Sequence, residues 1–423
     1  MFAIIAMTGL AACAAPASQS VPDPGDGPGT GTDPGTGTDP GTGTDPGAGQ
    51  PISVVVDDLQ PGWLVTTSRM TDGSAPSDTT QVSDGSALTL TGAPGDVFVA
   101  TVTDGAGTLV ATQSMRSPCT MARSRQLRVP GEFPTIQAAV DVARPGDTVA
   151  VAAGVYTESV KLRPGVCLVG AGARQSFLDA QHQAISLVDL TGAPGSMVSG
   201  FTFRGVTMPE GCADRDPFTC SGDWYAAGIY LGGTTWRDPT QDAPPLILGN
   251  IFEDNDVGVM LYWRGVAVIR NNLFLANRTG FMANHFQSRT LIANNVFYGN
   301  QELAIGNQAA YLDIVENVIA GSDVGIRFEY VQTGFIRCNL FFGNGADQQQ
   351  DYPGAPRFSI GTDGNLGTDP RFVAADGTGA GDYHLAPGSP AIDAGCSTTS
   401  FEPDGTPHDV GAYGGPLASW VAL

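Results

Sequence analysis

The sequence predicts an all-β fold in which the chain winds into a solenoid of stacked coils. The first observation is a repeat, because five asparagines recur at intervals of 22, 23, 22 and 22 residues: Asn250, Asn272, Asn295, Asn317 and Asn339. The second is that apolar residues hold fixed positions around each asparagine. The third is a content of 57 glycines and 30 prolines, which supplies the turns that such coils need. A repeat of this length with several apolar positions is typical of a stacked coil.

Three apolar columns accompany the asparagines. They are Ile247, Ile269, Ile292, Ile314 and Ile336; Phe252, Phe274, Phe297, Ile319 and Phe341; and Ile229, Val259, Phe281, Ile305 and Ile326. Parallel strands lie about 4.8 Å apart, so equivalent residues of neighbouring coils should stack. We therefore expect the asparagines to bond amide to amide and the rings to stack inside the coil. Asn365 lies outside this repeat, and we expect it on an exposed loop.

The segment before the repeats predicts a short helix followed by strands. Thr135 can cap the helix, whose apolar positions share one face: Ile136, Ala139, Val140 and Ala143. Alternating strands follow in PGDTVAVAAGVYTESVKLRPGVCLVGAG, at residues 145–172. This opening resembles the pectin-lyase-like superfamily of right-handed parallel β-helices. The resemblance implies that the helix plugs the N-terminal end of the solenoid.

The C-terminal part carries a second set of family-like segments. DYHLAPGSPAIDAG at residues 382–395 and DGTPHDVGAYGG at residues 404–415 resemble segments that close bacterial β-helices. The resemblance covers about residues 128–415 and specifies the fold better than the activity. The two segments also contain four apolar residues that can cover the last coil: Leu385, Ala391, Ile392 and Val410.

Five regions are predicted along the chain. Residues 1–12 are apolar, like the central part of a signal peptide. Residues 13–50 contain repeated Gly-Thr-Gly-Thr-Asp-Pro units without apolar residues, which predicts a disordered linker. Short strands between turn residues predict a small β-sandwich at 51–116. The parallel β-helix takes 117–347, and its C-terminal coils and cap take 348–423.

The N-terminus also indicates where the protein acts. Leu10-Ala11-Ala12-Cys13 resembles a bacterial lipobox, which implies cleavage before Cys13 and lipidation of its sulfur. We therefore expect an exported protein, lipid-anchored to the outer membrane or cell surface of a Gram-negative bacterium. Membrane contact is expected only through that anchor.

The charge of the chain narrows the range of partners. Its formal net charge is −22, from 42 acidic and 20 basic residues. Without a basic stripe, nucleic acid is not expected as a partner. No Cys-x-x-Cys spacing occurs and the four histidines are scattered, so no metal site is predicted. Calcium is compatible with the acidity, but no motif indicates it, and no cofactor is expected.

Six cysteines remain besides Cys13, and an exported chain permits them to form disulfides. Cys212 and Cys220 close the short loop CADRDPFTC and are the best pair. Cys119 with Cys167 would pin the N-terminal end, and Cys338 with Cys396 would pin the C-terminal part. Free buried thiols at Cys167 and Cys338 are the alternative, so the pairing of these four stays open.

The candidate site follows from the alternation of side chains along a strand. If the column from Ile229 to Ile326 points inward, the residues after each member point outward. The candidate carbohydrate-binding residues are Tyr230, Tyr262, Trp263, Arg264, Asn284 and Tyr330, and the candidate catalytic residues are His285, Arg327 and Glu329. Aromatic rings beside polar groups suit a sugar chain. The alternative is that these rings pack beneath inserted loops.

Two classes of function remain open. The first is a surface module that binds polysaccharide or another cell-surface glycan, or has a structural or adhesive role, as a monomer or a homotrimer. The second is a polysaccharide lyase or related depolymerase that uses His285, Arg327 and Glu329. Glu329 has no obvious acidic partner for glycosidase chemistry, and the Asn-Thr-Asp and Gly-His-Gly motifs of polygalacturonase-like relatives are absent. Whether the protein is an enzyme stays undecided from the sequence.

Overall fold

A computed structural model describes most of the solenoid and its C-terminal segment. The residues described from position 125 onward are 125–208, 226–233, 244–263, 265–284, 289–330, 334–352, 357–396, 402 and 406–415. Those described before it are 5–6, 52–56, 61–62, 64–70, 77–84, 88–92, 97–103, 109–114 and 117–119. The predicted lipidation site Cys13, the linker at 13–50, and Cys212 with Cys220 lie outside these residues. No helix within the described ranges is long and apolar enough to cross a membrane.

The main body is a parallel β-solenoid of about nine coils, each with about 22 residues. Every complete coil adds one strand to each of three parallel sheets. Sheet 1 contains Gln126–Val129, Thr148–Val151, Cys167–Gly170, Met197–Ser199, Leu246–Leu248, Val268–Arg270, Arg289–Ala293, Tyr311–Val315 and Ile336–Arg337. Sheet 2 contains Gly154–Tyr156, Ser176–Gln183, Thr202–Val206, Ile251–Glu253, Leu273–Leu275, Val296–Tyr298, Val318–Ala320 and Leu340–Phe342. Sheet 3 contains Val160–Lys161, Val188–Asp189, Ile229–Gly232, Val257–Tyr262, Thr279–Asn284, Leu303–Gln308, Val324–Phe328 and Ala346–Gln350.

The predicted apolar columns are confirmed as stacked positions in the interior. Ile247, Ile269 and Ile292 lie side by side in sheet 1. The column from Ile229 to Ile326 is in register through sheet 3, and its members are buried in the core. In sheet 2 the rings of Phe252, Phe274 and Phe297 stack with centroids 4.8 and 4.5 Å apart. Close stacking of this kind fills the interior because the same residue type returns once per coil.

The asparagine ladder is also confirmed. Asn272 Nδ2 donates to Asn295 Oδ1 at 3.0 Å, and Asn295 Nδ2 donates to Asn317 Oδ1 at 2.9 Å. The same amides also donate to backbone carbonyls, so these buried polar groups are satisfied. A second ladder, which the sequence analysis did not single out, joins Asn255, Asn277 and Asn300 at the turn into sheet 3.

The expectation for Asn365 is wrong. Asn365 is fully buried and extends the first ladder, because its Oδ1 accepts hydrogen bonds from the N–H and Nδ2 of Asn339 at 3.1 and 3.3 Å. The physical reason is that the chain makes part of one more coil, in which Leu366 bridges in parallel to Leu340. This turn is 26 residues long, so it falls outside the regular period.

One α-helix occurs among the described residues, at Ile136–Val142. The Thr135 hydroxyl caps it by accepting the N–H of Ala138 at 3.1 Å. The Glu158 carboxylate accepts the N–H groups of the first two helical residues, at 2.8 and 3.1 Å. These contacts satisfy donors that a helix start leaves free. Ile136, Ala139 and Val140 join the solenoid core, so the predicted helix and its apolar face are present.

The C-terminal segment does not simply close the last coil. Ala391 and Val410 are buried against the outer face of sheet 2, Leu385 is half-buried there, and Ile392 is exposed. The segment contains the antiparallel pair Phe372–Ala374 and Asp382–Leu385, and it reaches the second coil, where Arg174 donates to the Gly381 carbonyl at 2.6 Å. The expectation was wrong because sheet 2 points apolar side chains outward and these need cover along its length.

The structure gives the partner of Cys338 and shows that the Cys167 thiol is not free. Cys338 and Cys396 form a disulfide with a Cα–Cα distance of 5.7 Å, which is one of the alternatives that the sequence left open. Cys167 is disulfide-bonded as well, and the side chain of its expected partner Cys119 lies outside the described part of the structure.

Two antiparallel sheets precede the solenoid. One contains Ile5–Ala6, Ile52–Val56 and Leu88–Gly92. The other contains Leu64–Met70, Ser77–Val82, Val97–Thr103, Leu109–Ser114 and Ser117–Cys119. The strands agree with the short runs expected at 51–116, while their packing into a sandwich stays a prediction.

Candidate functional site

Sheet 3 places several candidate residues in register but separates others. Tyr262 pairs with Asn284, and Asn284 pairs with Gln308. Tyr230 and Arg327 belong to a different column, and the three coils between their positions hold Met260, Met282 and Gly306. We expected stacking to bring all the candidate residues together. It does so for Tyr262 and Asn284, but Arg327 lies in another column.

The outer face of sheet 3 is less open than the sequence analysis expected. Met260 and Met282 are fully buried in an apolar cluster, and Tyr230 and Tyr262 pack against this cluster. Asn284 is also buried. The half-buried rings of Tyr230 and Tyr262 thus match the alternative in which aromatic residues pack beneath neighbouring chain. They leave only part of their surface for a ligand.

The exposed rings lie slightly further along each coil, where sheet 3 gives way to sheet 1. Trp263, Tyr311, Tyr330 and Tyr352 are 44%, 38%, 45% and 49% exposed, and we call these four residues the aromatic corner. The fifth strongly exposed aromatic side chain of the described residues is Phe342, on sheet 2. Exposed aromatic surface is therefore concentrated at one edge of the solenoid.

The aromatic corner runs along the axis of the solenoid. Trp263, Tyr330 and Tyr352 come within two residues after the sheet 3 strands Val257–Tyr262, Val324–Phe328 and Ala346–Gln350, and Tyr311 is the first residue of the sheet 1 strand that follows Leu303–Gln308. One further coil, with the strand Thr279–Asn284, lies between those of Trp263 and Tyr311. Its candidate His285 and the candidate Arg264 of the first coil are outside the described residues. The ring centroids of Tyr330 and Tyr352 are 6.3 Å apart. Four coil spacings correspond to about 19 Å, at about 4.8 Å per coil.

Trp263 is held outward by its backbone. Its φ of 44° is left-handed, which is an unusual conformation for a bulky side chain and costs about 1–3 kcal/mol. The N–H of Trp263 donates to the Asn284 carbonyl at 3.0 Å, which ties this turn to the next coil. Gly265, two residues later, lies close against the neighbouring coil, because a Cβ there would be 2.2 Å from a methyl group of Leu231. The turn is thus shaped by neighbouring backbone, and the indole lies at its surface.

Polar groups flank the aromatic corner and are paired with one another. Arg327 Nε donates to Asp351 Oδ2 at 2.6 Å, and Gln349 donates to the other carboxylate oxygen at 3.1 Å. Arg357 Nε donates to Gln350 Oε1 at 2.8 Å. Glu329 is half-buried. The positive charge of Arg327 is therefore compensated within the protein.

A polar cavity on the outer face of sheet 2 was not predicted from the sequence. It measures about 410 Å³ and is lined by Asp179, His182, Arg204, Gly205, Glu253, Asp254, Ala276, Gly377 and Thr378. Arg204 pairs with Asp179 at 2.8 Å, and Glu253 accepts the N–H of Gly379 at 2.7 Å. Glu253 thus joins the C-terminal segment to sheet 2, while the Arg204–Asp179 pair links neighbouring strands of the sheet. Only the register of Asp179 with Arg204 could have indicated these side chains.

A buried acid–base pair lies near the same segment. Glu316 Oε2 and His408 Nδ1 are 2.9 Å apart, and Glu316 Oε1 accepts the N–H of Cys396 at 2.7 Å. Burial raises the pKa of Glu316, but the hydrogen bond with His408 and the charges of His408 and Arg270 outweigh it. The pKa of Glu316 therefore lies below its ordinary value.

The described residues do not form a recognisable metal site. No three side chains of His, Cys, Asp or Glu approach closely enough there to hold an ion. Cys167, Cys338 and Cys396 are disulfide-bonded, so they offer no thiolate. His408 is fully buried and already bonded to Glu316.

Comparison with known proteins gives one match. Residues 219–352, about a third of the chain, match the sequence model of the family described as periplasmic copper-binding protein (NosD). Comparisons with curated proteins and with solved structures gave no significant match. The ligands that copper prefers, thiolate and imidazole, are not grouped among the described residues, so we derive no copper chemistry. Over residues 219–352, which include the whole aromatic corner, this β-solenoid is similar to the NosD family.

Proposed function

We propose that this protein is an exported β-solenoid that binds polysaccharide through its aromatic corner. The observation that carries the proposal is the concentration of four exposed rings, Trp263, Tyr311, Tyr330 and Tyr352, along one edge. Aromatic rings stack on the apolar faces of sugars, while neighbouring polar groups bond the hydroxyls. Exposed aromatic patches rimmed by polar residues are typical of binding surfaces.

The polar surroundings support the same function. Gln349 and the paired Arg327 and Asp351 lie beside Tyr330 and Tyr352 along the chain, and each offers groups that a sugar hydroxyl can bond. Tyr230, Tyr262 and Asn284 then serve chiefly as packing beneath the surface. Trp263 and Tyr330 keep the carbohydrate-binding role that the sequence analysis assigned to them, and Tyr311 and Tyr352 join them.

The lyase alternative receives less support from the geometry. A lyase must neutralise the carboxylate of a uronate with a cation, but the guanidinium of Arg327 already bonds Asp351 at 2.6 Å. Glu329 is half-buried, and His285 lies outside the described residues. We therefore propose a binding, structural or adhesive module, as a monomer or a homotrimer, rather than a depolymerase.

The proposed location is the cell envelope of a Gram-negative bacterium. The apolar N-terminus, the lipobox-like sequence before Cys13 and the bonded cysteines support export. The printed description of the matching family is periplasmic. Lipid at Cys13 would anchor the protein, residues 13–50 would tether it, and residues 51–116 would form a spacer. The right-handed sense of the coils, the helical plug and the Cys212–Cys220 disulfide belong to the same proposal.

A pair of variants tests this function. Trp263→Ala should weaken binding to a retained glycan by roughly tenfold or more, which corresponds to the loss of a hot-spot aromatic residue. Phe342→Ala is the matched control, since Phe342 is similarly exposed but lies on sheet 2. Affinity electrophoresis against a panel of neutral and acidic polysaccharides measures both. Equal retention of the two variants, or no retention of the parent protein on any glycan, would contradict the proposal.

A further inference from the structure

We infer that the glycan is linear and uncharged, and that it lies parallel to the solenoid axis with about one sugar unit per coil. This inference rests on the proposed function, and it names the class and direction of the ligand. The alternative directions are around a coil or end-on against one ring. The position of the rings and the charge of the surface distinguish between them.

The direction follows from where the rings lie. Trp263, Tyr311, Tyr330 and Tyr352 belong to four different coils, so a chain that crosses the solenoid would meet one ring only. A chain that follows the axis meets a ring on each of these coils. The coil spacing of about 4.8 Å is close to the length of one pyranose ring with its glycosidic oxygen. An extended glycan can therefore place about one sugar unit on each coil.

The length of the ligand follows from the same geometry. From Trp263 to Tyr352 the corner covers four coil spacings, or about 19 Å. About five consecutive sugar units can lie along this distance. Tyr330 and Tyr352, with centroids 6.3 Å apart and a 41° angle between their planes, offer two adjacent platforms at one end. Affinity should therefore increase with each unit until the corner is filled.

The lack of charge follows from the electrostatics of the surface. The chain carries a formal net charge of −22, which repels a polyuronate or a sulfated polymer. Near the corner, Arg327 bonds Asp351 and Arg357 bonds Gln350. An anionic glycan would have to compete with the Asp351 carboxylate for Arg327. A neutral glycan needs only the hydrogen bonds and the ring faces that the corner offers.

The test uses calorimetric titration of the full chain with neutral cello-, xylo-, manno- and chito-oligosaccharides of about two to six units. Oligogalacturonates of the same lengths are the charged comparison. For at least one neutral series we expect affinity to rise with length and to level off near five units. Tyr352→Ala should weaken the longest oligosaccharide severalfold and leave the shortest one that binds unchanged. Phe342→Ala should bind like the parent protein, and thermal melting should show that both variants are folded.

The outcomes separate the inference from the function on which it rests. If an oligogalacturonate binds more tightly than every neutral series, the ligand is charged and the inference is wrong. If short and long neutral oligosaccharides bind equally, the chain does not follow the axis and the inference is also wrong. In both cases glycan binding itself survives. If no oligosaccharide of either kind binds the folded protein, the proposed function fails first.

Discussion

The outer face of sheet 2 and the aromatic corner both carry apolar groups on the outside of one solenoid, but most of those on sheet 2 are covered. Leu273, Val296 and Val318 are fully buried beneath the C-terminal segment. Trp263 and Tyr330, by contrast, keep close to half of their surface exposed. The C-terminal segment thus covers apolar surface on sheet 2 but leaves the rings of the aromatic corner exposed. This difference is why we assign the corner, and not sheet 2, to a ligand.

The cover is fastened at one repeated position. The residue before each ladder asparagine has a left-handed backbone: φ is 52° at Asn271, 51° at Asn294, 58° at Glu316 and 53° at Cys338. Asn271 Nδ2 donates to the carbonyls of Ala412 and Gly414, both at 2.9 Å. On later coils the same position supplies the hydrogen bond between Glu316 and His408 and the disulfide of Cys338. The covered face is therefore held by specific bonds as well as by apolar contact.

The disulfide provides the largest expected effect. Replacing Cys338 and Cys396 together by serine opens a loop with a sequence separation of 58 residues. Chain entropy predicts a loss of about 4 kcal/mol of unfolding free energy for a loop of this size. Chemical denaturation of oxidised parent and double variant measures the difference. Identical midpoints would show that the disulfide does not hold the cover in place.

The asparagine ladder provides the second-largest expected effect on stability. The loss should be larger for a change in the middle of the ladder than for one at its end. Asn295→Leu removes a donor and an acceptor from two buried neighbours, so it should cost roughly 1–3 kcal/mol. Asn365→Leu, at the end of the ladder, affects a neighbour on one side only and should cost less. Thermal melting of the two variants gives the order. A larger loss at Asn365 than at Asn295 would contradict the ladder as a cooperative array.

These two predictions also show what the sequence could reveal. The interior columns and the first ladder were predictable, because a residue that returns every 22 or 23 positions must stack in a solenoid. Asn365 was not, because its turn is longer than the period. The path of the C-terminal segment was not predictable either. Arg174 and Gly381 meet across 207 residues of sequence, and no local pattern indicates that contact.

The candidate site was predicted in part for a similar reason. Trp263 and Tyr330 were found because each follows an inward-pointing residue at a short offset. Tyr352 follows its coil's inward position at the same offset, but it was missed because that position holds Gln348 and not an apolar residue. Tyr311 was missed because it lies farther along its coil, at the start of a sheet 1 strand. Tyr230 and Tyr262 were assigned to the outer face correctly, but alternation along a strand does not show what packs upon that face.

Acidification should have a smaller effect, on the stability that Glu316 contributes to the covered face. Since the pKa of Glu316 is lowered in the fold, its contribution to stability is present above its ordinary pKa of 4.5 and is lost as pH falls through the folded value. The parent protein should therefore lose melting temperature more steeply below this pH than Glu316→Gln does. Melting curves across an acidic pH series measure both slopes. Parallel slopes would show that the ionised Glu316 carboxylate does not help to hold the C-terminal segment on sheet 2.

Radical footprinting with and without a bound neutral oligosaccharide tests whether the aromatic corner is the glycan-binding surface. It reports the solvent exposure of each aromatic ring in one experiment. The account predicts that ligand protects Trp263, Tyr311, Tyr330 and Tyr352 together, while Phe342 stays as reactive as in the free protein. Protection of Phe342 with the corner unchanged, or a bound ligand that protects none of the four rings, would show that the binding surface lies elsewhere.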